Sequence, residues 1–345
     1  MKNIYLFLLL IVLIGCQSTE KKNTTTNAEN TTEPINEKTF IQLGGEDQYI
    51  EITGANQQQP ILLFLHGGPG WPQTPHLRYF NSQLSKEMMV VSWDQPGCGK
   101  SYLNNPNPKN LSVKSLISNA HELTQYLKKK FNRDKIFLLG FSYGSVIGLN
   151  LADKYPEDYH AYFGVSQIIN AQDNWDISMQ WLRQKAQQKQ DTAVLKQLDL
   201  IDQKDTSVCN TVLDCFMSKY QLLVDYNGTI LNPSIAKEIE KAEHYYEDYK
   251  DYNWFDVFYY TYSRLGDQQF QTDLTHIKSI DVPTYFMAGK HDWNLPGVVA
   301  EKHLKTLNAP KKEFIWFENS GHEPPEEEPE LFNKTIIKIV NEINE

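Results

Sequence analysis

The sequence of 345 residues has only 4 cysteines and lacks the motifs that hold catalytic metals. Neither a His-Glu-x-x-His segment nor a pair of Cys-x-x-Cys segments occurs, so we expect no bound metal. Residues 97–101 resemble the end of a phosphate-binding loop, but Asp94 stands where the first glycine of that loop is required. We therefore expect neither a nucleotide nor another cofactor.

The sequence also has no excess of positive charge. Its 33 Lys and Arg residues are outnumbered by 43 Asp and Glu residues, the formal net charge is -10, and no long basic stripe is visible. Because such stripes gather the phosphates of nucleic acids, nucleic acid is not an expected partner. With 40% hydrophobic and 22% charged residues, the composition is typical of a globular protein.

No hydrophobic run is long enough to span a bilayer. The one candidate, Ile4 to Ile14, is shorter than a helix needs to cross roughly 30 Å of hydrocarbon, and with Lys2 before it this run is typical of a signal peptide. Residues 13–16, Leu-Ile-Gly-Cys, resemble the lipobox of bacterial lipoproteins, in which the cysteine is acylated. We expect a signal peptide over 1–15 and an exported protein anchored by lipidated Cys16 to a membrane of the bacterial cell envelope. The alternative is an ordinary secretory signal with a chance cysteine.

Beyond the leader, the sequence predicts a tether, a core and a cap. Residues 16–38 are polar and predict a flexible tether. Short apolar runs then alternate with helical patterns over 39–169 and 276–345, which indicates a mainly parallel α/β sheet with helices on both faces. Between these parts, 170–275 is rich in helix formers and aromatic residues and predicts a helical cap. Cys209 and Cys215 lie in the cap, and their spacing leaves open whether they form a disulfide.

A Gly-x-Ser-x-Gly pentapeptide, 140–144, lies directly after an apolar run and before a helical pattern. A serine on a sharp turn between a strand and a helix has an exposed Oγ, and only glycine fits the crowded flanks of that turn. We therefore predict that Ser142 is a nucleophile. The alternative is a small-residue turn that packs a helix on a sheet.

A serine nucleophile needs a general base and a carboxylate that orients the base. In this topology they follow the serine in the order acid and then histidine, each in a loop after a later strand. Asp292 follows the apolar run 283–288, and His322 follows the run 314–317. We predict a Ser142–Asp292–His322 triad; a helix cap for Asp292 and an ordinary loop position for His322 are the alternatives.

An acyl-transfer site must also stabilise an oxyanion, commonly with two backbone N–H groups. One is predicted from Tyr143, just after the nucleophile. The second is predicted from Gly68, in the segment His-Gly-Gly-Pro-Gly (66–70) that follows the run 61–65. His66 itself is interpreted as a structural hydrogen-bonding residue.

These segments carry a resemblance to a known family. The chain from about residue 40 to 343 resembles the α/β-hydrolase fold, and 66–70 is similar to the corresponding segment of the prolyl aminopeptidase (proline iminopeptidase) group of serine peptidases. Residues 94–101 resemble the Asp-Gln-Arg-Gly-x-Gly-x-Ser segment of that group, with Pro96 in place of arginine. The end of the chain, from Gly321 through Glu330, resembles the region in which such hydrolases carry the catalytic histidine.

The resemblance implies an eight-stranded type of sheet, a helical cap and an aminopeptidase that acts on small peptides. Members of the group hold the substrate amine with acidic residues of the cap. Residues 243–246 are loosely similar to a glutamate-containing cap motif, so Glu243 is a candidate substrate-binding residue; a solvated acidic helix face is the alternative. An esterase or lactonase acting on small acyl substrates is the second functional hypothesis, and a binding module without catalysis is the third. The oligomeric state stays open.

Overall fold

The computed structural model describes residues 32–344. The predicted signal peptide, Cys16 and most of the tether lie outside the described residues. The strands are β1 Ile35–Leu43, β2 Glu46–Gly54, β3 Ile61–Leu65, β4 Met89–Trp93, β5 Ile136–Phe141, β6 Tyr159–Val165, β7 Thr284–Gly289 and β8 Lys312–Phe317. The helices are α1 Thr74–Phe80, α2 Leu84–Glu87, α3 Gly99–Asn104, α4 Val113–Phe131, α5 Tyr143–Lys154, α6 Ala171–Gln188, α7 Thr192–Asp202, α8 Val212–Asp225, α9 Pro233–Tyr245, α10 Trp254–Leu265, α11 Gly297–Thr306, α12 Pro324–Glu327 and α13 Pro329–Asn344.

The strands form one 8-stranded sheet in the order β1-β2-β4-β3-β5-β6-β7-β8. The pairs β1–β2 and β2–β4 are antiparallel, and the pairs from β4–β3 onward to β7–β8 are parallel. Successive side chains of a strand point to opposite faces. In β3, Ile61, Leu63 and Leu65 accordingly enter one hydrophobic cluster and Leu62 and Phe64 enter another, which explains why the central strands are apolar throughout.

The predicted tether ends too late. Strand β1 begins at Ile35 and pairs with β2 along its whole length, from Ile35 opposite Gly54 to Leu43 opposite Glu46. The polar residues 36–38 are held by this backbone pairing, and Glu37 also forms a salt bridge with Lys130 at 2.6 Å. Neither contact is visible in the local composition on which the tether boundary rested.

Helix α4 illustrates how local sequence sets the helices. Its apolar face packs on the sheet through residues such as Leu116, Leu123 and Leu127. Ser112 caps its N-terminus by accepting a hydrogen bond of 3.1 Å from the backbone N–H of Ser115. The helix ends at Asn132 in the left-handed conformation, as asparagine readily does.

Helices α6 to α10 lie between β6 and β7 and form a separate layer. The two ends of this insertion meet at a bridge between Asn170 and Asp273, next to a hydrogen bond of 2.7 Å from Leu274 N–H to the carbonyl of Ile169. Cys209 and Cys215 form a disulfide. Among residues 32–344 no helix is long and apolar enough to cross a membrane.

Helix α5 approaches β3 so closely that only glycine fits at one point. A Cβ atom at Gly144 would press on the carbonyl oxygen of Leu65 and lie 2.6 Å from that of His66. We expect Gly144→Ala to lower the free energy of unfolding by about 2 kcal/mol or more through overpacking, measured by urea denaturation. The control is Gly45→Ala, because a methyl group there meets nothing within 4 Å. Its cost is the strain of a positive φ, which lowers the free energy of unfolding by about 1 kcal/mol. An equal loss in the two variants would contradict the steric explanation.

Candidate active site

Ser142 lies on the sharp turn between β5 and α5. Its backbone has φ 51 and ψ -119, an uncommon conformation for a residue other than glycine. The turn is held by a hydrogen bond of 2.9 Å from Ser142 N–H to the carbonyl of Val165. At its start, a Cβ atom on Gly140 would lie 2.5 Å from the carbonyl oxygen of Gly144. The two glycines thus permit the turn that presents Ser142.

His322 and Asp292 join Ser142 from the loops that follow β8 and β7. His322 Nε2 lies 3.0 Å from Ser142 Oγ, and His322 Nδ1 lies 2.8 Å from Asp292 Oδ2. Asp292 Oδ1 accepts hydrogen bonds from the backbone N–H groups of Asn294 and Leu295 at 2.9 and 2.8 Å. The structure therefore brings the three predicted residues together in one hydrogen-bonded chain.

This chain is buried and electrostatically coupled. The relative exposures of Ser142, Asp292 and His322 are 8%, 2% and 6%. Burial disfavours a charged imidazole, but the negative charge of Asp292 and its hydrogen bond oppose burial and raise the pKa of His322 to about 9. The pairing with Asp292 therefore favours the protonated form of His322.

The predicted oxyanion donors border the same space as Ser142. Tyr143 is the first residue of α5, so its N–H has no acceptor within the helix. Gly68 has φ 98, a conformation suited to glycine, and its carbonyl accepts a hydrogen bond of 3.2 Å from the Tyr262 hydroxyl. Both residues line the cavity that contains Ser142.

His66 holds the loop that carries Gly68. Its Nδ1 lies 2.9 Å from the carbonyl oxygen of Gly67, and its Nε2 accepts a hydrogen bond of 3.2 Å from the backbone N–H of Gln95. Burial lowers the pKa of His66 to about 4. His66 is thus a neutral hydrogen-bonding residue.

A cavity of about 1940 Å³ lies between the strand ends and the cap. This volume exceeds the usual range for a small-molecule pocket. Helices α6, α8, α9 and α10 all contribute to its wall. Residues from the core and the cap that line it include Ser142, His322, Glu323, His76, Trp71, Trp175, Lys219, Glu243 and Phe258.

Glu243 faces this cavity from α9, next to the core. Its exposure is 8%, and its Oε1 accepts a hydrogen bond of 3.1 Å from Trp71 Nε1. Burial raises the pKa of Glu243 to about 7. Among other acidic residues of the cap, Glu238 bonds the Tyr79 hydroxyl at 2.7 Å and Asp248 bonds Arg78 at 2.8 Å.

Two further carboxyl groups were missed by sequence reasoning. Glu323 lines the cavity directly after His322, and Glu326 lies behind it. Burial raises the pKa of both groups to about 8, and it is reinforced by the charge of Glu326 acting on Glu323 and by that of Glu327 acting on Glu326. Because Glu323 directly follows His322 in the sequence, its place near the site could have been predicted.

His76 on α1 lies between Glu326 and Glu243, and nothing in the sequence around it predicted a place in the site. His76 Nδ1 lies 3.2 Å from Glu326 Oε1, and its Nε2 lies 3.8 Å from Glu243 Oε1. Burial lowers the pKa of His76. Within residues 32–344 no group of three or more His, Cys, Asp and Glu side chains is arranged to hold a metal ion.

The fold and the sequence assign the chain to a family. Residues 60–329 match the model of the α/β hydrolase fold family, and the chain belongs to that family, so it is a hydrolase. The probable aminopeptidase YbaC of Bacillus subtilis is 29% identical over 304 residues, covering 86% of this chain and 94% of that protein. A proline iminopeptidase of Heyndrickxia coagulans is 24% identical over 302 residues, covering 87% and 96%. The predicted resemblance to the prolyl aminopeptidase group is confirmed.

Solved structures share the fold. A proline iminopeptidase-related protein from Thermus thermophilus has a TM-score of 0.62 and 19% identity, covering 88% of this chain and 96% of that one. A thermophilic esterase from Thermogutta terrifontis has a TM-score of 0.58 and 16% identity, covering 89% and 99%. These neighbours confirm the predicted α/β-hydrolase fold, and at such identities the likeness concerns the fold alone.

Removing the charge of Asp292 tests the electrostatics of the site. We expect wild-type His322 to titrate near pH 9. In Asp292→Asn burial remains but the opposing charge is gone, so the pKa of His322 should fall toward or below its ordinary value of about 6.5. NMR titration of the histidine ring signals, assigned with His322→Gln, measures both values.

The matched control for this titration is Asp199→Asn, which removes an exposed carboxylate paired with Arg183 on the cap. It should leave the pKa of His322 unchanged. An equally high pKa in Asp292→Asn would show that Asp292 is not the group that stabilises the imidazolium.

Proposed function

We propose that the chain is a serine aminopeptidase that releases N-terminal residues from small peptides through an acyl-enzyme on Ser142. The observation that carries the proposal is the placement of carboxyl groups in the wall of the same cavity that contains Ser142 and His322. The similarity to proteins named as aminopeptidases supports it. A serine nucleophile alone can attack esters and amides. The proposal of a peptide substrate with a free amine therefore depends on the carboxyl groups.

The chemistry begins with attack of Ser142 Oγ on the carbonyl carbon of the N-terminal residue. His322 Nε2, at 3.0 Å, takes the hydroxyl proton as general base, and Asp292 stabilises the resulting imidazolium. The N–H groups of Gly68 and Tyr143 bind the oxyanion of the tetrahedral intermediate. His322 then donates its proton to the peptide nitrogen as the C–N bond breaks, and the shortened peptide leaves.

Hydrolysis of the acyl-enzyme repeats these steps with water as the nucleophile. His322 takes a proton from the water, the tetrahedral intermediate forms again, and the bond to Ser142 Oγ breaks as Oγ regains a proton. Only a neutral imidazole accepts the first proton. Because the pKa of His322 is raised to about 9, kcat/KM for an N-acetylated substrate, which has no amine to titrate, is expected to rise with pH on the alkaline side of neutrality.

The substrate amine is held by Glu243 and Glu323. A buried ammonium group needs a carboxylate partner, since the loss of hydration is otherwise uncompensated. Burial raises the pKa values of both glutamates to about 7 and about 8, and an arriving ammonium lowers them again because opposite charges stabilise each other. An acetylated amine carries no charge and gains nothing from this site.

The first test compares free and N-acetylated amides of proline and alanine. We expect kcat/KM to be about a hundredfold higher for the free amines, the size of a charge-assisted interaction in a buried site. Ser142→Ala should lower kcat by roughly 10³-fold or more on every substrate and abolish labelling by a fluorophosphonate probe. Indifference to acetylation would instead indicate the esterase or lactonase function, and a folded wild type that the probe fails to label would indicate a binding module.

A second test removes the charge of the cap glutamate. Glu243→Gln should reduce the preference for a free amine by about tenfold or more, because one of the two carboxylates that pair with the ammonium is lost. The effect is measured as the ratio of kcat/KM for free and acetylated substrates. Glu247→Gln is the matched control, since Glu247 is exposed and, within residues 32–344, forms its salt bridge with Lys250 at 2.6 Å. A ratio that falls equally in both variants would remove Glu243 from the site.

A further inference from the structure

Lys219 is a buried lysine in the wall of the cavity, and the proposed mechanism does not use it. It lies on α8, its exposure is 2%, and it lines the same cavity as Ser142 and Glu243. Its ammonium group lies 4.7 Å from the centre of the Trp175 ring and 5.6 Å from that of Phe216. Two other lysines of the cavity wall, Lys204 and Lys250, are exposed to solvent.

Lys219 has no anionic partner in the part of the chain that the structure describes. No salt bridge or hydrogen bond joins its ammonium to any residue among 32–344. Asp292 is the carboxylate whose charge acts on it, but both oxygens of Asp292 already accept hydrogen bonds from His322, Asn294 and Leu295. A buried lysine without a carboxylate is costly, and a methionine would pack there without that cost.

The ammonium of Lys219 and the carboxyl group of Glu243 lie among different neighbours in the cavity wall. Glu243 contacts Trp71 and His76 of the core, whereas Lys219 contacts Trp175 on α6 and Phe216 on α8. Burial lowers the pKa of Lys219 to about 7, although the charge of Asp292 opposes this shift. The cavity therefore has an acidic part at Glu243 and Glu323 and a basic part at Lys219. Ser142 and His322 line the same space.

We propose that Lys219 binds a carboxylate on the leaving-group side of the substrate, namely the free C-terminal carboxylate of a short peptide. The inference rests on the proposed aminopeptidase function, which places the substrate amine at the glutamates. A di- or tripeptide carries a positive group at one end, a negative group at the other and the scissile carbonyl between them. The compact ammonium on a flexible stem accommodates carboxylates at slightly different distances, and the cap encloses the pair in a cavity that strengthens its attraction.

The test compares substrates that differ only in the leaving-group charge. The pairs are Pro-Ala with Pro-Ala-amide, and Ala-Ala with Ala-Ala-amide. We expect the wild type to show a kcat/KM at least about tenfold higher for the free carboxylates, mainly through KM, as a charge-assisted hydrogen bond predicts. Pro-Asp-amide distinguishes the source of the carboxylate: a preference for it over Pro-Ala-amide, with none for Pro-Ala, would assign an acidic side chain to Lys219 instead of a C-terminus.

Variants then assign the preference to Lys219. Lys219→Met and Lys219→Gln should bring the ratio of kcat/KM for Pro-Ala and Pro-Ala-amide close to one, and Lys219→Arg should keep part of it. The matched control is Lys189→Met, which removes an exposed lysine 4.2 Å above the Tyr226 ring, outside the cavity. This control should keep the wild-type ratio. Thermal unfolding followed by circular dichroism establishes that each variant is folded.

Two further outcomes would overturn the proposal. One is a wild type that cleaves the carboxylate, amide and Pro-Asp-amide substrates equally well, a result that needs no variant. The other is a loss in Lys219→Met and Lys219→Gln that is the same for charged and neutral leaving groups, which would make Lys219 a support for Asp292. Either outcome leaves the preference for free over acetylated amines intact, whereas loss of that preference would overturn the aminopeptidase function itself and the inference with it.

Discussion

The buried hydrogen bond between Asp292 and His322 is the interaction on which the site depends. Neither group is stable as an isolated charge at such low exposure, and each makes the charged form of the other acceptable. The bond requires that the loops after β7 and β8 lie side by side, which the parallel pairing of these strands provides. His322 is also held from behind, because its carbonyl accepts a hydrogen bond of 2.9 Å from the Ser166 hydroxyl at the end of β6. The geometry of the site is therefore a property of the sheet.

The cap adds Glu243 to the buried ionisable groups around Asp292 and His322. It is attached to the core by ion pairs, in which Asp248 bonds both Arg78 and Lys100 at 2.8 and 2.5 Å, and by the hydrogen bond of 2.6 Å from the Tyr249 hydroxyl to Asp94. These contacts hold the segment between α9 and α10 on the core, and Glu243 at the end of α9 is held with it. The contacts that attach the cap to the core therefore also help to fix the position of the Glu243 carboxyl group.

The cavity wall includes many aromatic and apolar side chains, so the charged groups that are buried among them act strongly on one another and on a ligand. The raised pKa values of the glutamates and the lowered pKa of Lys219 have the same physical cause: each group loses hydration without gaining a full partner for its charge. Such groups are poised to change protonation when a complementary charge arrives. The distribution of these groups in the wall, acidic near Glu323 and basic at Lys219, therefore suits a substrate that carries both signs of charge.

Much of this arrangement could be predicted from local sequence. The run 61–65 is strand β3, and the loops that carry Ser142, Asp292 and His322 follow strands as predicted, because strand and turn signals depend on neighbouring residues. The first strand was missed at its start, since the polar residues after Ile35 are held by pairing with β2.

The composition of the cavity depended on contacts distant in sequence. An acidic helix offers several glutamates at similar spacing, and only the docking of α9 on α1 and Trp71 turns Glu243 inward and leaves Glu238 on Tyr79. His76 and Lys219 carry no motif, because a histidine in a short helix and a lysine in a cap helix are ordinary until a fold buries them. Local sequence was therefore enough to predict the hydrogen-bonded arrangement of Ser142, His322 and Asp292, whereas the charged groups of the cavity wall come together only where the cap packs over the sheet.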